Sequence, residues 1–226
     1  GLEVLEWAFN ILKEKGFAPD SEFNIKNLVE EKGRIRMVLP KTTNYQIRLV
    51  LREGDLLSEL NKEVKHGEFD IAIMGSPRRK RMTNKISQFL DTSIFFVKNF
   101  NPNWNYKILL CVDDSRATKR AVILSTRISK QFDAEIISLT VSKTSFFGKG
   151  YRNAHTWAER YLKRVGIPFE SRLLSGNPVD VFVDEAGEDH IIIMGKAKGN
   201  EILKFIFGSK PIHTAQRSNC PVLMVN

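Results

Sequence analysis

The sequence predicts an α/β fold with an open, parallel five-stranded sheet and helices on both faces, present in two copies of which the N-terminal one is partial. In the second half, apolar runs of strand length alternate with amphipathic segments of helix length, as in parallel sheets. The phrases EFDIAIMG at 68–75 and EDHIIIMG at 188–195 are nearly the same, which indicates an internal repeat. Residues 100–105 contain a proline and three asparagines and are typical of a linker. We therefore expect two domains, 1–103 and 104–226.

The strands of the second half are short apolar runs bounded by turn residues. Residues 106–112 form a nearly continuous apolar run, as expected for a parallel strand that is buried on both faces. Further strands are predicted over 134–141, 169–174, 190–194 and 221–225.

The segments between these strands are predicted to be helices. Ala121, Leu124 and Ile128 fall on one stripe of a helix, and Asn177 followed by Pro178 is a typical helix start. Alternating strands and helices predict right-handed βαβ units, in which ligands bind beyond the carboxyl ends of the strands. The predicted helices cover 117–132, 153–165, 177–187 and a final segment that ends at residue 218.

The first half repeats part of this pattern after an amphipathic helix at 2–15. A strand at 45–52 is the expected equivalent of the strand at 169–174, and 33–39 is a further strand that could be its hairpin partner. On this alignment the first strand, first helix and second strand of a complete copy are absent. The other matching segments are a helix at 57–66 and strands at 69–74 and 93–97.

The formal net charge of +9 is spread over the chain. Residues 1–103 hold 17 Lys and Arg against 14 Asp and Glu, and residues 104–226 hold 18 against 12. A nucleic-acid-binding domain usually concentrates its positive charge more strongly, so this distribution argues against one. The basic run at 78–81 is the exception, and it is either a solvated loop or a site for phosphate, RNA or an anionic membrane surface.

The apolar runs also bear on the location of the protein. None approaches the ~18 residues that a membrane-spanning helix needs, so we expect no membrane span. Cys111 and Cys220 each lie in an apolar run and are expected to be buried, reduced thiols. Since no signal peptide is visible, these features predict a cytoplasmic protein.

Glycines and lysines follow the predicted strand at 190–194. Gly195 lets the chain turn and brings backbone N–H groups near an anion. Gly208 and Ser209 open the next helix, whose N-terminus favours phosphate. Both glycines could instead serve only as turn and capping residues. Positive charge around this segment comes from Lys196, Lys198 and Lys210.

This segment resembles the universal stress proteins, which carry G-x-x-G-x9-G-[ST] after the fourth strand and end in a phrase like N-x-P-V-L-V-V. The distance from Gly195 to Ser209 is the same, and NCPVLMV at 219–225 matches the ending. The resemblance covers 106–226. It implies a Rossmann-like fold of the adenine nucleotide alpha-hydrolase type, with ATP or another adenine nucleotide as ligand and Mg²⁺ bound with it.

The resemblance also implies which residues form the site. Asp113 stands where the family has an acidic residue that contacts the ribose or adenine side of ATP, although it could instead cap the following helix. Val141 would line the adenine pocket. The implied set is Val112, Asp113, Val141, Met194, Gly195, Lys196, Lys198, Gly199, Gly208, Ser209 and Lys210.

The sequence departs from the family pattern at the phosphate end of this site. Lys198 stands at the place of the middle glycine, and Gly199 follows one residue later. Lys210 and Pro211 follow Ser209, and a proline there removes one N–H donor. The lysines add compensating charge, so ATP, ADP, AMP or another anionic ligand is compatible with the pattern. In the N-terminal copy the matching position holds Gln88, which predicts a degenerate copy without a nucleotide site.

No catalytic set is visible, because the four histidines are scattered and no Walker lysine or zinc spacing occurs. We expect a stress-response or regulatory protein with at most weak ATP hydrolysis. A ligand-free interaction or regulatory module, for example of a transporter, is the alternative, and a basic adaptor acting through 78–81 is a third. The last strands of the two copies, 93–97 and 221–225, could pair within one chain as a pseudo-dimer or between two chains as a homodimer.

Overall fold

The computed structural model describes residues 1–31, 33–40, 46–67, 69–75, 80–196 and 210–226. These form two compact units, Gly1–Leu60 and Asn61–Asn226. Part of the basic run and most of the glycine-rich segment, including Lys198, Gly199, Gly208 and Ser209, lie outside the described residues. No helix in the described ranges is long and apolar enough to cross a membrane.

The first unit combines an amphipathic helix with a small antiparallel sheet. Helix α1 buries Leu5 and Phe9, and Phe9 packs with Met37 and Leu39 in a separate small core. The sheet has the order β1-β2-β3 with antiparallel neighbours throughout. Its elements are α1 (Leu2–Glu14), β1 (Val29–Glu31), β2 (Arg34–Val38) and β3 (Arg48–Arg52).

The hairpin interpretation of 33–39 is confirmed, because β2 pairs with β3 over five residue pairs. The predicted equivalence of 45–52 with 169–174 was wrong in one respect: β3 does not join the large sheet. Within the described residues, the strand beside which it would lie in a complete copy is absent. Its backbone groups therefore pair with β2 instead.

The chain then enters helix α2 (Leu56–Gly67), where the Asp55 carboxylate accepts a hydrogen bond from the Ser58 N–H at 3.0 Å. The second unit contains a seven-stranded sheet with the order β4-β5-β10-β9-β6-β7-β8. Every neighbouring pair is parallel except β5 and β10. The strands are β4 (Ile71–Gly75), β5 (Ser93–Val97), β6 (Lys107–Cys111), β7 (Ile136–Ser142), β8 (Phe169–Ser175), β9 (His190–Gly195) and β10 (Val222–Val225).

In the part of the chain that the structure describes, five helices accompany these strands, and their ends follow local sequence signals. The Asn177 side chain accepts a hydrogen bond from the Val179 N–H at 3.1 Å, as the predicted cap requires. Gly166 ends its helix with φ of 73°, a conformation that favours glycine. One boundary was wrong, since the helix predicted from residue 153 begins at Lys149. The helices are α3 (Lys80–Phe89), α4 (Arg116–Phe132), α5 (Lys149–Val165), α6 (Pro178–Ala186) and α7 (Lys210–Arg217).

The predicted parallel five-stranded sheet is confirmed as the β8-β7-β6-β9-β10 part of the large sheet. Its core contains fully buried side chains from several strands and helices, among them Ile108, Leu110, Leu162 and Ile193. The chain leaves β6 toward β7 on one side, and β9 lies on the other side. The strand order therefore reverses between β6 and β9, and such switch points open a crevice at the carboxyl ends of the strands.

Both cysteines are buried and free, as predicted. Burial, with a smaller contribution from the Asp113 carboxylate, raises the pKa of the Cys111 thiol well above its usual range. Burial likewise raises the pKa of Cys220 to about 11. Both thiols therefore stay protonated and unreactive at neutral pH.

The antiparallel junction between β5 and β10 is part of the core. Ile94 pairs with Met224 and Phe96 with Val222, and the side chains of all four residues are buried. Lys98 Nζ donates a hydrogen bond to the Ser218 carbonyl at 2.6 Å across the same junction. β4 and β5, which precede residue 104, thus belong to the same sheet as the strands of the C-terminal half.

We expect Phe96→Ala to lower the free energy of unfolding by about 3–5 kcal/mol, because it leaves a cavity at a side chain that is 1% exposed. Ile73→Ala on the neighbouring strand β4 is the control, since its side chain is 70% exposed and its removal should cost within about 1 kcal/mol. Urea unfolding of both variants measures the difference. Equal losses would show that the β5–β10 junction is not a packed core.

Candidate functional site

The predicted site residues of strands β6, β7 and β9 meet at the carboxyl edge of the sheet. Cys111 lies opposite Met194 in the β6–β9 pair, and the Val112 N–H donates to the Leu139 carbonyl at 2.8 Å. Val112, Val141 and Met194 are buried, so their side chains can form only the floor and walls of a site. The polar chemistry comes from the loops that follow the strands.

Asp113 is held by the first turn of α4. Its Oδ1 accepts hydrogen bonds from the Ser115 N–H at 3.0 Å and the Thr118 hydroxyl at 2.7 Å. The Asp113 N–H in turn lies 3.2 Å from Thr118 Oγ1. One carboxylate oxygen thus contacts the start of the helix, where Ser115 and not Asp113 is the N-cap residue. The other oxygen, Oδ2, faces Lys210.

Asp113 Oδ2 lies 3.9 Å from Lys210 Nζ, at the outer limit of an ion pair, and the Asp113 side chain is 34% exposed. A contact of this length between partly exposed groups is weak. This oxygen therefore remains able to accept a hydrogen bond from a ligand hydroxyl or amino group.

Lys210 also contacts Tyr151, a residue that the sequence analysis did not identify. Lys210 Nζ donates to the Tyr151 hydroxyl at 3.3 Å and lies 5.6 Å from the centre of its ring, within the range of a cation–π contact. Tyr151 belongs to the first turns of α5, directly after the β7–α5 connection. The order of the elements in the sequence could have indicated Tyr151, because every segment that follows a strand of a parallel sheet begins at this edge.

Gly195 is required by a close approach between β9 and α4. A Cβ atom at this position would lie 2.7 Å from Ala117 Cβ and 2.8 Å from the Thr118 backbone nitrogen. Real Cβ atoms do not approach backbone atoms so closely, so any other residue would force α4 away from the strand. The glycine therefore allows the N-terminus of α4, and with it Thr118, to lie at the switch point.

Lys196 has a different environment from the one expected of a phosphate contact. Its side chain is 7% exposed, and Nζ donates to the Leu90 carbonyl at 2.5 Å and to the Thr92 carbonyl at 3.5 Å. The side chain would have to give up these bonds to reach a ligand. The structure therefore brings together Val112, Asp113, Val141, Met194, Gly195 and Lys210 at the edge and directs the Lys196 ammonium to the turn before β5.

A small groove opens beside Asp113, between the first turns of α4 and α5. It has a volume of about 290 Å³, and its lining includes Asp114, Thr118, Gly150 and Trp157. Lys119 Nζ lies 5.4 Å from the centre of the Trp157 ring at the same place. Within the described ranges, no group of three or more His, Cys, Asp or Glu side chains could hold a metal ion.

Numbered from β6 to β10, the strands of the parallel part have the order 3-2-1-4-5. An acidic residue follows the first strand, and the N-terminus of a helix packs against the fourth strand at the switch point. This combination is typical of Rossmann-like, doubly wound α/β domains. The family model described as "Universal stress protein family" matches residues 105–226, and the chain belongs to that family.

The chain is also similar to individual proteins. A universal stress protein of Methanocaldococcus jannaschii is 25% identical over 53% of this chain and 81% of its own length. The crystal structure of a universal stress protein from Archaeoglobus fulgidus is 17% identical, covers 78% of this chain and 67% of its own, and has a TM-score of 0.62, which shows the shared fold. A universal stress protein solved in complex with cAMP is 25% identical over 54% of this chain and 96% of its own, with a TM-score of 0.44.

We expect Thr118→Val to lower the free energy of unfolding by about 1.5–3 kcal/mol, because it removes a hydrogen bond to the Asp113 carboxylate at a buried position. The matched control is Thr126→Val on the same helix, where the buried hydroxyl donates only to the Ile123 carbonyl one turn earlier. That bond adds little to a helix, so the control should cost less than about 1 kcal/mol. Chemical denaturation measures both. Equal costs would mean that Thr118 does not hold Asp113.

Proposed function

We propose that this chain is a stress-response or regulatory protein that binds an adenine nucleotide, ATP or a related one, at the carboxyl edge of the parallel strands. The main support for this proposal is the geometry of Asp113. Its Oδ1 is fixed by Ser115 and Thr118, while its Oδ2 stays available at the switch point. A short carboxylate there suits ribose hydroxyls. Family membership supports the same ligand class.

The other site residues take complementary roles in this proposal. Val112, Val141 and Met194 form walls for the base, and Gly195 with Lys198, Gly199, Gly208 and Ser209 offers backbone donors to the phosphates. Lys210 adds a positive charge beside Asp113. Mg²⁺ would bind together with the nucleotide, because it usually takes most of its ligands from phosphates and water. Binding without catalysis is proposed, with ATP hydrolysis at most weak.

Pro211 affects the phosphate end of the proposed site. It is the second residue of α7, where its fixed φ fits the first turn of a helix and its missing N–H has no partner inside the helix. The helix therefore forms normally but offers one donor fewer to an anion. AMP and ADP consequently remain candidates beside ATP.

A ligand-free regulatory module, for example of a transporter, is the second candidate. It is favoured because two lysines that could bind a phosphate already contact other groups of the protein. Lys210 contacts Asp113 and Tyr151, and the Lys196 ammonium donates to two backbone carbonyls. In such a module these contacts would replace those of a nucleotide.

Asp113→Asn tests the proposed site, since it keeps the size of the side chain but removes its charge. We expect calorimetric titration to show that the variant binds ATP, ADP or AMP about tenfold more weakly, which corresponds to about 1.4 kcal/mol. The matched control is Asp184→Asn on α6, at an exposed carboxylate, which should leave the affinity unchanged. The absence of binding heat with all three nucleotides at millimolar concentration would favour the ligand-free module instead.

We also propose that β5 and β10 pair as an intramolecular pseudo-dimer. β10 has hydrogen-bonded neighbours on both sides, β9 and β5, so its edge is closed to a second chain. Light scattering after size exclusion should then give the mass of one chain at micromolar concentration. A stable homodimer would contradict the pseudo-dimer.

A further inference from the structure

The turn between α3 and β5 lies at the same edge as the proposed site. β5 is antiparallel to β10, so the start of β5 lies beside the end of β10, with Ile94 opposite Met224. β10 and β9 are parallel, and Met224 lies opposite Met194. Residues 90–93 therefore reach the carboxyl ends of β9 and β10 from outside the family-matched region 105–226.

Lys196 joins this turn to the end of β9. Its Nζ donates to the Leu90 and Thr92 carbonyls, and its backbone N–H donates to the Val225 carbonyl at 2.7 Å. Leu90 directly follows the last residue of α3, and the C-terminal end of a helix attracts a cation. A buried ammonium that lost these acceptors would carry a large desolvation cost, which holds the side chain in place.

The turn itself is fixed from two further directions. The Thr92 hydroxyl donates to the Phe69 carbonyl at 2.6 Å, just before β4. The Asn226 N–H donates to Ser93 Oγ at 3.2 Å, and the Asn226 side-chain amide donates to Asp91 Oδ1 at 2.8 Å. The acceptors of Lys196 thus belong to a turn that β4 and the end of β10 both hold.

We propose that Lys196 is a positioning residue for the nucleotide site and that the partial N-terminal copy takes part in ligand binding through it. Gly195, the residue before Lys196, packs against the first turn of α4, and Thr118 of that turn donates to the Asp113 carboxylate. Through Lys196, the α3–β5 turn would hold the end of β9 in place beside Asp113. This inference rests on the nucleotide binding proposed above and replaces a direct contact between Lys196 and phosphate.

Lys196→Met tests the proposal, because it keeps the apolar stem and removes the ammonium. The matched control is Lys98→Met, which removes a hydrogen bond of the same kind, Lys98 Nζ to the Ser218 carbonyl at 2.6 Å, at the opposite end of the β5–β10 junction. We expect Lys196→Met to weaken the binding of AMP and ATP alike by about tenfold. Lys98→Met should change either affinity by less than about twofold.

Hydrogen exchange without ligand provides the readout that separates positioning from direct contact. In Lys196→Met, the amides of Leu90, Ser93 and Asn226, which donate hydrogen bonds in and around the α3–β5 turn, should exchange faster than in the unmodified protein, and in Lys98→Met they should not. If Lys196→Met does not fold, Thr92→Val, which frees the turn from Phe69, should show the same two effects more weakly.

Several results would overturn the proposal. One is an unchanged affinity and exchange rate in Lys196→Met, and another is an equal loss of affinity in Lys98→Met. Weaker ATP binding with unchanged AMP binding and unchanged exchange would instead make Lys196 a direct phosphate contact. If the unmodified protein binds no nucleotide, the proposed function fails, and the exchange rates alone then decide whether Lys196 holds the α3–β5 turn to the end of β9.

Discussion

The close approach of helix α4 to the end of strand β9 at Gly195 is the contact on which the candidate site depends. Only a residue without a Cβ leaves room for Ala117 and Thr118 there. Because α4 starts at this point, Thr118 reaches Asp113 and fixes one oxygen of its carboxylate. The glycine thus acts through packing, whereas the acidic residue is oriented by two residues that follow it closely in the sequence, Ser115 and Thr118.

A second constraint comes from the antiparallel pairing of β5 with β10. It extends a parallel five-stranded sheet by two strands, β4 and β5, and closes an edge that would otherwise be open to another chain. The reversal of direction also has a geometric consequence. It brings the start of β5 to the carboxyl edge of the sheet, so the turn at 90–93 lies beside the ends of β9 and β10.

Two lysines near this edge differ in burial and in their contacts. Lys210 is partly exposed, lies 3.9 Å from the Asp113 carboxylate and contacts Tyr151, so it stays part of the polar surface. Lys196 is buried and donates to two backbone carbonyls. A buried ammonium requires such acceptors. The positive charge of Lys210 therefore belongs to the polar surface of the candidate site, whereas that of Lys196 holds two buried segments of the chain together.

Local signals in the sequence determined most of the fold and part of the site. Apolar runs, the Asn177 cap and Gly166 predicted the elements of the second unit, and the order of these elements placed Asp113 and Gly195 at one edge. The partners of Lys196, the role of Tyr151 and the separate sheet of β3 were decided only by the tertiary structure. The reason is physical: each depends on a contact between segments far apart in the chain, such as Lys196 with Leu90, which no local periodicity encodes.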